Sequence, residues 1–174
     1  MKCFRLILTS VFSVFLLSSA VAHDYTIGKL LISHPHIPAT VKAAPVAAGY
    51  VIIVNTGDEA DRLLEVKADF SAKQQLHTMK VVDGIARMRP LKNGIEIPAN
   101  STVKLKQGGD HMMFMQLNEQ MEAGQLRDVT LVFEKAGPVK VGMIVLDPED
   151  LEEDDSDAHS DHSNHSSSHS GHTN

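Results

Sequence analysis

Beyond the first two dozen residues, apolar side chains occur in short runs of Val, Ile, Leu and Thr, each closed by Gly, Pro, Asn or Asp before a helical period can establish itself. This punctuation constrains the fold more than any other feature, because it admits short strands and close turns and little else. It predicts strands near Thr26–Ile32, Gly49–Asn55, Leu63–Lys67, Gln75–Met79, Ala86–Arg89, Ile95–Ile97, Val103–Lys106, His111–Leu117, Arg127–Phe133 and Val139–Leu146. Asn55-Thr56-Gly57, Asp83-Gly84, Lys92-Asn93-Gly94 and Gln107-Gly108-Gly109 supply turns, since Gly and Asn reach positive φ at low cost. The expectation is an all-β domain, a sandwich or barrel of about eight to nine strands.

Composition separates both ends from that domain. Lys2 and Arg5, the apolar stretch Leu6 to Leu17 and the small residues Ala20-Val21-Ala22 read as a secretory signal peptide over residues 1–22. The stretch is shorter than a bilayer span, and no later one is apolar enough to cross, so the expected location is the periplasm, with no membrane span after cleavage. The only cysteine, Cys3, would leave with the signal, so the mature chain has neither a disulfide nor a thiolate ligand. At the other end, Asp147 to Asp157 holds eight acids and no base, followed by Ser, His, Gly and Asn. Residues 147–174 are therefore expected to be a disordered acidic and His-rich tail. The domain between, residues 23–146, carries 14 Lys/Arg against 13 Asp/Glu, and the chain has no tryptophan. A nearly neutral surface without stacking platforms excludes nucleic acid as the partner. A monomer is expected.

The residues that carry chemistry are His77, Met88, His111 and Met113, on three separate predicted strands. Side chains two apart in a strand share a face, so His111 and Met113 present an imidazole and a thioether about 7 Å apart. His77 and Met79 repeat the arrangement. If the strand of His77 and the hairpin of Met88 pack near His111, two imidazole nitrogens and two thioether sulfurs converge. Thioether sulfur is soft and uncharged, which suits copper(I) and disfavours zinc, calcium and magnesium. Outside the cytoplasm it has a second merit, because it cannot oxidise to a disulfide as a thiolate pair can. Methionine is also a common gap-filler in β cores, and Met112, Met115, Met121 and Met143 fit that role.

The sequence resembles the periplasmic copper chaperones called PCu(A)C, whose pattern is a histidine, ten residues, a methionine, a little over twenty residues, then His-x-Met. Ten residues separate His77 from Met88, and twenty-two separate Met88 from His111. Asp83-Gly84, Met88-Arg89-Pro90, Gly94-Ile95-Glu96-Ile97-Pro98-Ala99 and Gly108-Gly109-Asp110-His111-Met112-Met113 carry the likeness further, over about Ile27 to Val145. The resemblance implies a cupredoxin-like β-sandwich, not an enzyme, that takes copper(I) on His77, Met88, His111 and Met113. It further implies delivery to the copper centre of cytochrome c oxidase, through an oxidase subunit or alongside a thioredoxin-like copper assembly protein. Met79 matches a methionine common in the family, a spare or supporting donor. Ala86 is a departure, since relatives often carry a further methionine there.

His159, His162, His165, His169 and His172 form a second set of further candidate donors, in a segment without methionine. Their imidazoles and the adjoining carboxylates match copper(II) or zinc better than copper(I). This motivates the alternative of a periplasmic copper or zinc buffer, or tolerance protein, that acts mainly through its tail. An electron-transfer cupredoxin is disfavoured, because it needs a cysteine ligand. His23, with His34 or His36, could form the amino-terminal copper site of a monooxygenase. Position argues otherwise, and His34 and His36 are expected to be loop residues beside Pro35 and Pro38.

Overall fold

The computed structural model describes residues 24–151. Eleven strands follow one another with no α-helix among the described residues: β1 (Tyr25–Ile27), β2 (Leu30–Pro38), β3 (Val46–Asn55), β4 (Asp61–Lys67), β5 (Ser71–Val82), β6 (Ile85–Pro90), β7 (Ile95–Ile97), β8 (Ser101–Leu105), β9 (Asp110–Leu117), β10 (Leu126–Phe133) and β11 (Pro138–Leu146). A short 3-10 turn, Pro148–Leu151, ends the described chain. The strands hydrogen-bond in the order β6-β5-β9-β3-β2-β11-β10-β4-β7, with β1 beside β2 and β8 beside β3. Among the described residues, only β2 and β11 pair in parallel.

β3 makes the sheet fold over. Its first residues, Val46 to Gly49, pair with β9, and from Val51 onward that edge pairs with β8 instead. The change of partner at Tyr50 turns the β6-β5-β9 end across the rest. Leu76, Met112 and Phe114 from that end therefore share one core with Ile32, Leu63, Leu131 and Val145 from the other. Inside it, the Phe70 and Phe114 rings meet at 4.8 Å, tilted by 55°. Strict alternation along β3, with Ala47, Gly49, Val51 and Ile53 inward, keeps one face dry and leaves the other outward.

The all-β architecture is the expected one, with eleven strands in place of eight to nine. Gly28, at φ 59°, turns the chain inside the predicted first strand and splits it into β1 and β2. His34 and His36 lie within β2 and not in a loop. The register shifts between Ser33 and His36, and His34 sits at φ 52°. Pro35 is thereby placed at an irregularity, where the ladder asks nothing of the N–H that proline lacks. Residues 1–22, expected to be a signal peptide, His23 and the tail histidines lie outside the described residues.

Candidate metal centre

Three neighbouring strands bring the donors together. β5 and β9 run antiparallel with His77 opposite His111, Gln75 opposite Met113 and Leu76 opposite Met112. Met112 and Phe114 are fully buried in the core. The pleat therefore sends His111 and Met113, and with them His77 and Gln75, to the opposite, outer face. β6 joins through a two-residue turn, Asp83-Gly84, whose φ angles of 53° and 76° are both positive, as a type I′ hairpin requires. That hairpin sets Met79 opposite Met88. Met88 thus shares the outer face with Met79 and, by alternation, with His77.

The outer face carries three successive rows. Gln75 and Met113 form the first, His77 and His111 the second, Met79 and Met88 the third. Each methionine row is about 7 Å along the strands from the histidine row, the strand period of two residues. All four predicted donors are on one face, with Met79 in the same row as Met88. The imidazole centroids are 5.9 Å apart, edge to face at 65°. Exposure differs along the set, since His111 is only 3% exposed and Met88 is 44% exposed. β9 begins at Asp110, opposite Thr78, so beyond Met79 the β5–β6 pair continues as a two-stranded ribbon with Val81, Val82 and Ile85 exposed.

Hydrogen bonding fixes the rings. His111 Nδ1 lies 3.0 Å from the Gly109 carbonyl oxygen. A carbonyl can only accept, so this nitrogen carries the proton and Nε2 keeps the lone pair. His77 Nε2 lies 3.2 Å from Gln75 Oε1, while its buried Nδ1 has no partner. An orphaned buried ring nitrogen is costly unless something fills its lone pair. The His77 pKa is lowered, first by burial and then by the positive charge His111 and Lys73 would bring, so at neutral pH the imidazole is neutral and able to ligate. Among the described residues no group of three or more His, Cys, Asp or Glu gathers that could hold a metal ion. The donors this face does offer are two imidazoles and the thioethers beside them, a set that fits a soft ion.

The other candidates are placed differently. His36 stacks against Tyr50 at 5.3 Å, with its Nδ1 2.9 Å from the His34 carbonyl oxygen, on a strand separated from β9 by β3. His34 is exposed at the irregularity of β2. Neither joins His77 and His111. Met115 is half-buried opposite Lys73 on the outer face, whereas Met112, Met121 and Met143 fill the core. Gln75, which contacts His77 directly, was not among the expected site residues. Its only sequence signal is its position two residues before His77.

A family model described as "Putative lipoprotein LpqE-like" matches residues 30–145. "Putative lipoprotein Lxx21020" of Leifsonia xyli subsp. xyli is 35% identical over 111 residues, 63% of this chain and 67% of its own length. The solved copper-bound PCuAC domain from PmoF2 is 31% identical, with a TM-score of 0.62 over 72% of this chain and 99% of that one. The apo PCuAC domain from PmoF1 is 28% identical at the same TM-score, covering 72% and 100%. The solution structure of CuI-DR1885 from Deinococcus radiodurans is similar in fold, at 22% identity and a TM-score of 0.56 over 76% and 86%. The all-β fold is that of PCuAC domains.

Proposed function

The chain belongs to the LpqE-like family, and with that as premise we propose that it is a periplasmic copper(I) carrier, not an enzyme, that loads on His77, Met88, His111 and Met113 and passes the ion to a copper enzyme. The observation that carries this reading is the shared outer face of β6, β5 and β9, where the two imidazoles stand opposite each other between the row of Gln75 and Met113 and the row of Met79 and Met88. The copper-bound state of the PmoF2 domain, 31% identical, supports the choice of metal. No described helix is long and apolar enough to cross a membrane. The family's lipoprotein descriptions support a place in the cell envelope.

Graded exposure suits a carrier. Met88, exposed on the edge strand β6, is the donor an acceptor can displace first, and buried His111 is the one that lets go last. Copper(I) then changes hands one ligand at a time without being freed. The proposed acceptor is the copper centre of cytochrome c oxidase, met through an oxidase subunit or a thioredoxin-like assembly protein.

Anaerobic titration with copper(I) against a chromophoric chelator tests the reading. The full chain and a chain ending at Asp147 should each hold one tight equivalent. Loss of that equivalent on truncation would instead make the protein a buffer that works through its tail. His159, His162, His165, His169 and His172 should add copper(II) capacity to the full chain only, released as pH falls through about 6, where free imidazole protonates.

A further inference from the structure

We propose that Gln75 is a positioning residue that fixes the tautomer of His77, so that His77 offers copper its Nδ1 while His111 offers its Nε2. The inference rests on the reading of His77 as a ligand and adds to it which atom binds and what selects it. Gln75 and His77 are two apart on β5 and share the outer face, and Gln75 Oε1 is 3.2 Å from His77 Nε2. An amide oxygen can only accept. The Nε2 must therefore carry the proton, which leaves the lone pair on Nδ1, the ring nitrogen that is buried without a partner.

The reverse amide orientation fails on the same geometry. If Gln75 donated its NH₂ to Nε2, the proton would move to Nδ1, where it would be buried with nothing to accept it. Both ring nitrogens would then be closed to metal, one by the amide and one by its own hydrogen. Only the orientation with Oε1 toward the ring leaves a histidine that can ligate. His111 is set the other way, because the Gly109 carbonyl holds its Nδ1 proton.

The two imidazoles are thus unequal. Nδ1 is the ring nitrogen nearer the backbone and Nε2 the farther one, so an ion taken by His77 Nδ1 and His111 Nε2 would lie nearer β5 than β9. That displacement would bring it toward β6, the strand that carries Met88 and that hydrogen-bonds to β5 and not to β9. One amide on β5 therefore decides whether the hairpin methionine is within reach. A metal-bound histidine commonly has its other nitrogen held by a carbonyl or carboxylate, and loss of such a partner costs about 10–100-fold in affinity.

The test uses the full chain with ¹⁵N-labelled histidine. Long-range ¹H–¹⁵N spectra of the metal-free protein at about pH 8, above the ordinary imidazole pKa of ~6.5, should show His77 protonated at Nε2 and His111 at Nδ1. Gln75→Leu removes the acceptor and should turn His77 into a mixture of tautomers, leave His111 unchanged and weaken copper(I) by about 10–100-fold. Gln75→Glu keeps an acceptor and should retain both the tautomer and the affinity. A wild-type His77 protonated at Nδ1 overturns the proposal without any variant. So does a Gln75→Leu protein with unchanged tautomer, or with a changed tautomer and unchanged affinity. His77→Ala separates the two readings: if it binds copper(I) as tightly as wild type, His77 is not a ligand, whereas if it loses copper and Gln75→Leu does not, only the positioning role fails.

Discussion

Met112 and Met113 are neighbours in the chain and stand in opposite worlds. Met112 is fully buried, opposite Leu76 and Gly49 on the core side of β9. Met113 faces outward in the row next to His77 and His111. The same thioether fills a gap on one face and offers a lone pair on the other, and the parity of the strand alone assigns the role. The inner face of β9 thus belongs to the core that folds the domain, and the outer face is the one proposed to hold copper(I).

Exchange of the two roles should give the largest effects. Met112→Ala leaves a core cavity and should cost about 2–5 kcal/mol of stability, while the molecules that remain folded bind copper(I) with wild-type affinity. Met113→Ala and His111→Ala should do the reverse. Each should lose more copper(I) affinity than the about 10–100-fold that outer partners are worth, and Met113→Ala should change stability by about 1 kcal/mol or less. Urea unfolding of the metal-free proteins and chelator competition of the same samples provide both axes. A stability loss in Met113→Ala as large as in Met112→Ala would erase the distinction between the faces.

Gly49 gives a second way to press on the inner face, with a smaller effect. It lies opposite Met112, and a Cβ there would stand 2.7 Å from Phe114 Cε2. Glycine is needed at this position for the close approach of β3 and not for a turn. Gly49→Ala should destabilise by about 1–3 kcal/mol through overpacking, with copper(I) affinity unchanged once folded. A copper defect without a stability defect would mean that strain passes through β9 to the outer face.

The sequence made one half of this arrangement legible and hid the other. Alternation and turn residues were enough for an all-β domain, and the i, i+2 spacing was enough to put His111 beside Met113. The pairing of His77 with His111, thirty-four positions away, is a register, and register is set by how Leu76, Met112 and Phe114 seat in the core. No local pattern contains it. β5 runs from Ser71 to Val82, and its extension past the predicted end at Met79 is hidden because the ribbon end has two exposed faces and so no alternation to read. Pro35 and Pro38 disguised β2 as a loop, since proline normally breaks a ladder and here falls at a shift in register. Gln75 escaped notice because a side-chain amide becomes informative only when its partner is in view.

A pH series sharpens the contrast further, with a modest effect. The folded-state pKa of His77 lies below its ordinary value, because burial, and after it electrostatic interaction with His111 and Lys73, disfavours the cation. The stability linked to this group is complete above the unfolded value of about 6.5 and is lost as pH falls from there toward the folded pKa. Metal-free protein should therefore lose stability between neutral pH and pH 5, and His77→Gln should lose less. Equal slopes for the two proteins would show that His77 is not the group responsible.

The finest contrast lies within the outer face, between Met79 and Met88, and it contains the smallest expected effect, that of Met79. They occupy one row, so register alone does not rank them. Their surroundings differ: Met79 is half-buried on the strand of His77, and Met88 is exposed on the edge strand. Leucine conserves most of the volume of methionine and removes the sulfur, so both substitutions should leave folding nearly intact. Met88→Leu should weaken copper(I) markedly and slow its transfer to a chelator, because the displaceable donor is gone. Met79→Leu should change affinity by less than about tenfold, equivalent to about 1.4 kcal/mol. The reverse ranking would move the fourth ligand from the hairpin edge onto β5 and place the ion entirely between β5 and β9. The ribbon would then be left with a role in contact but none in coordination.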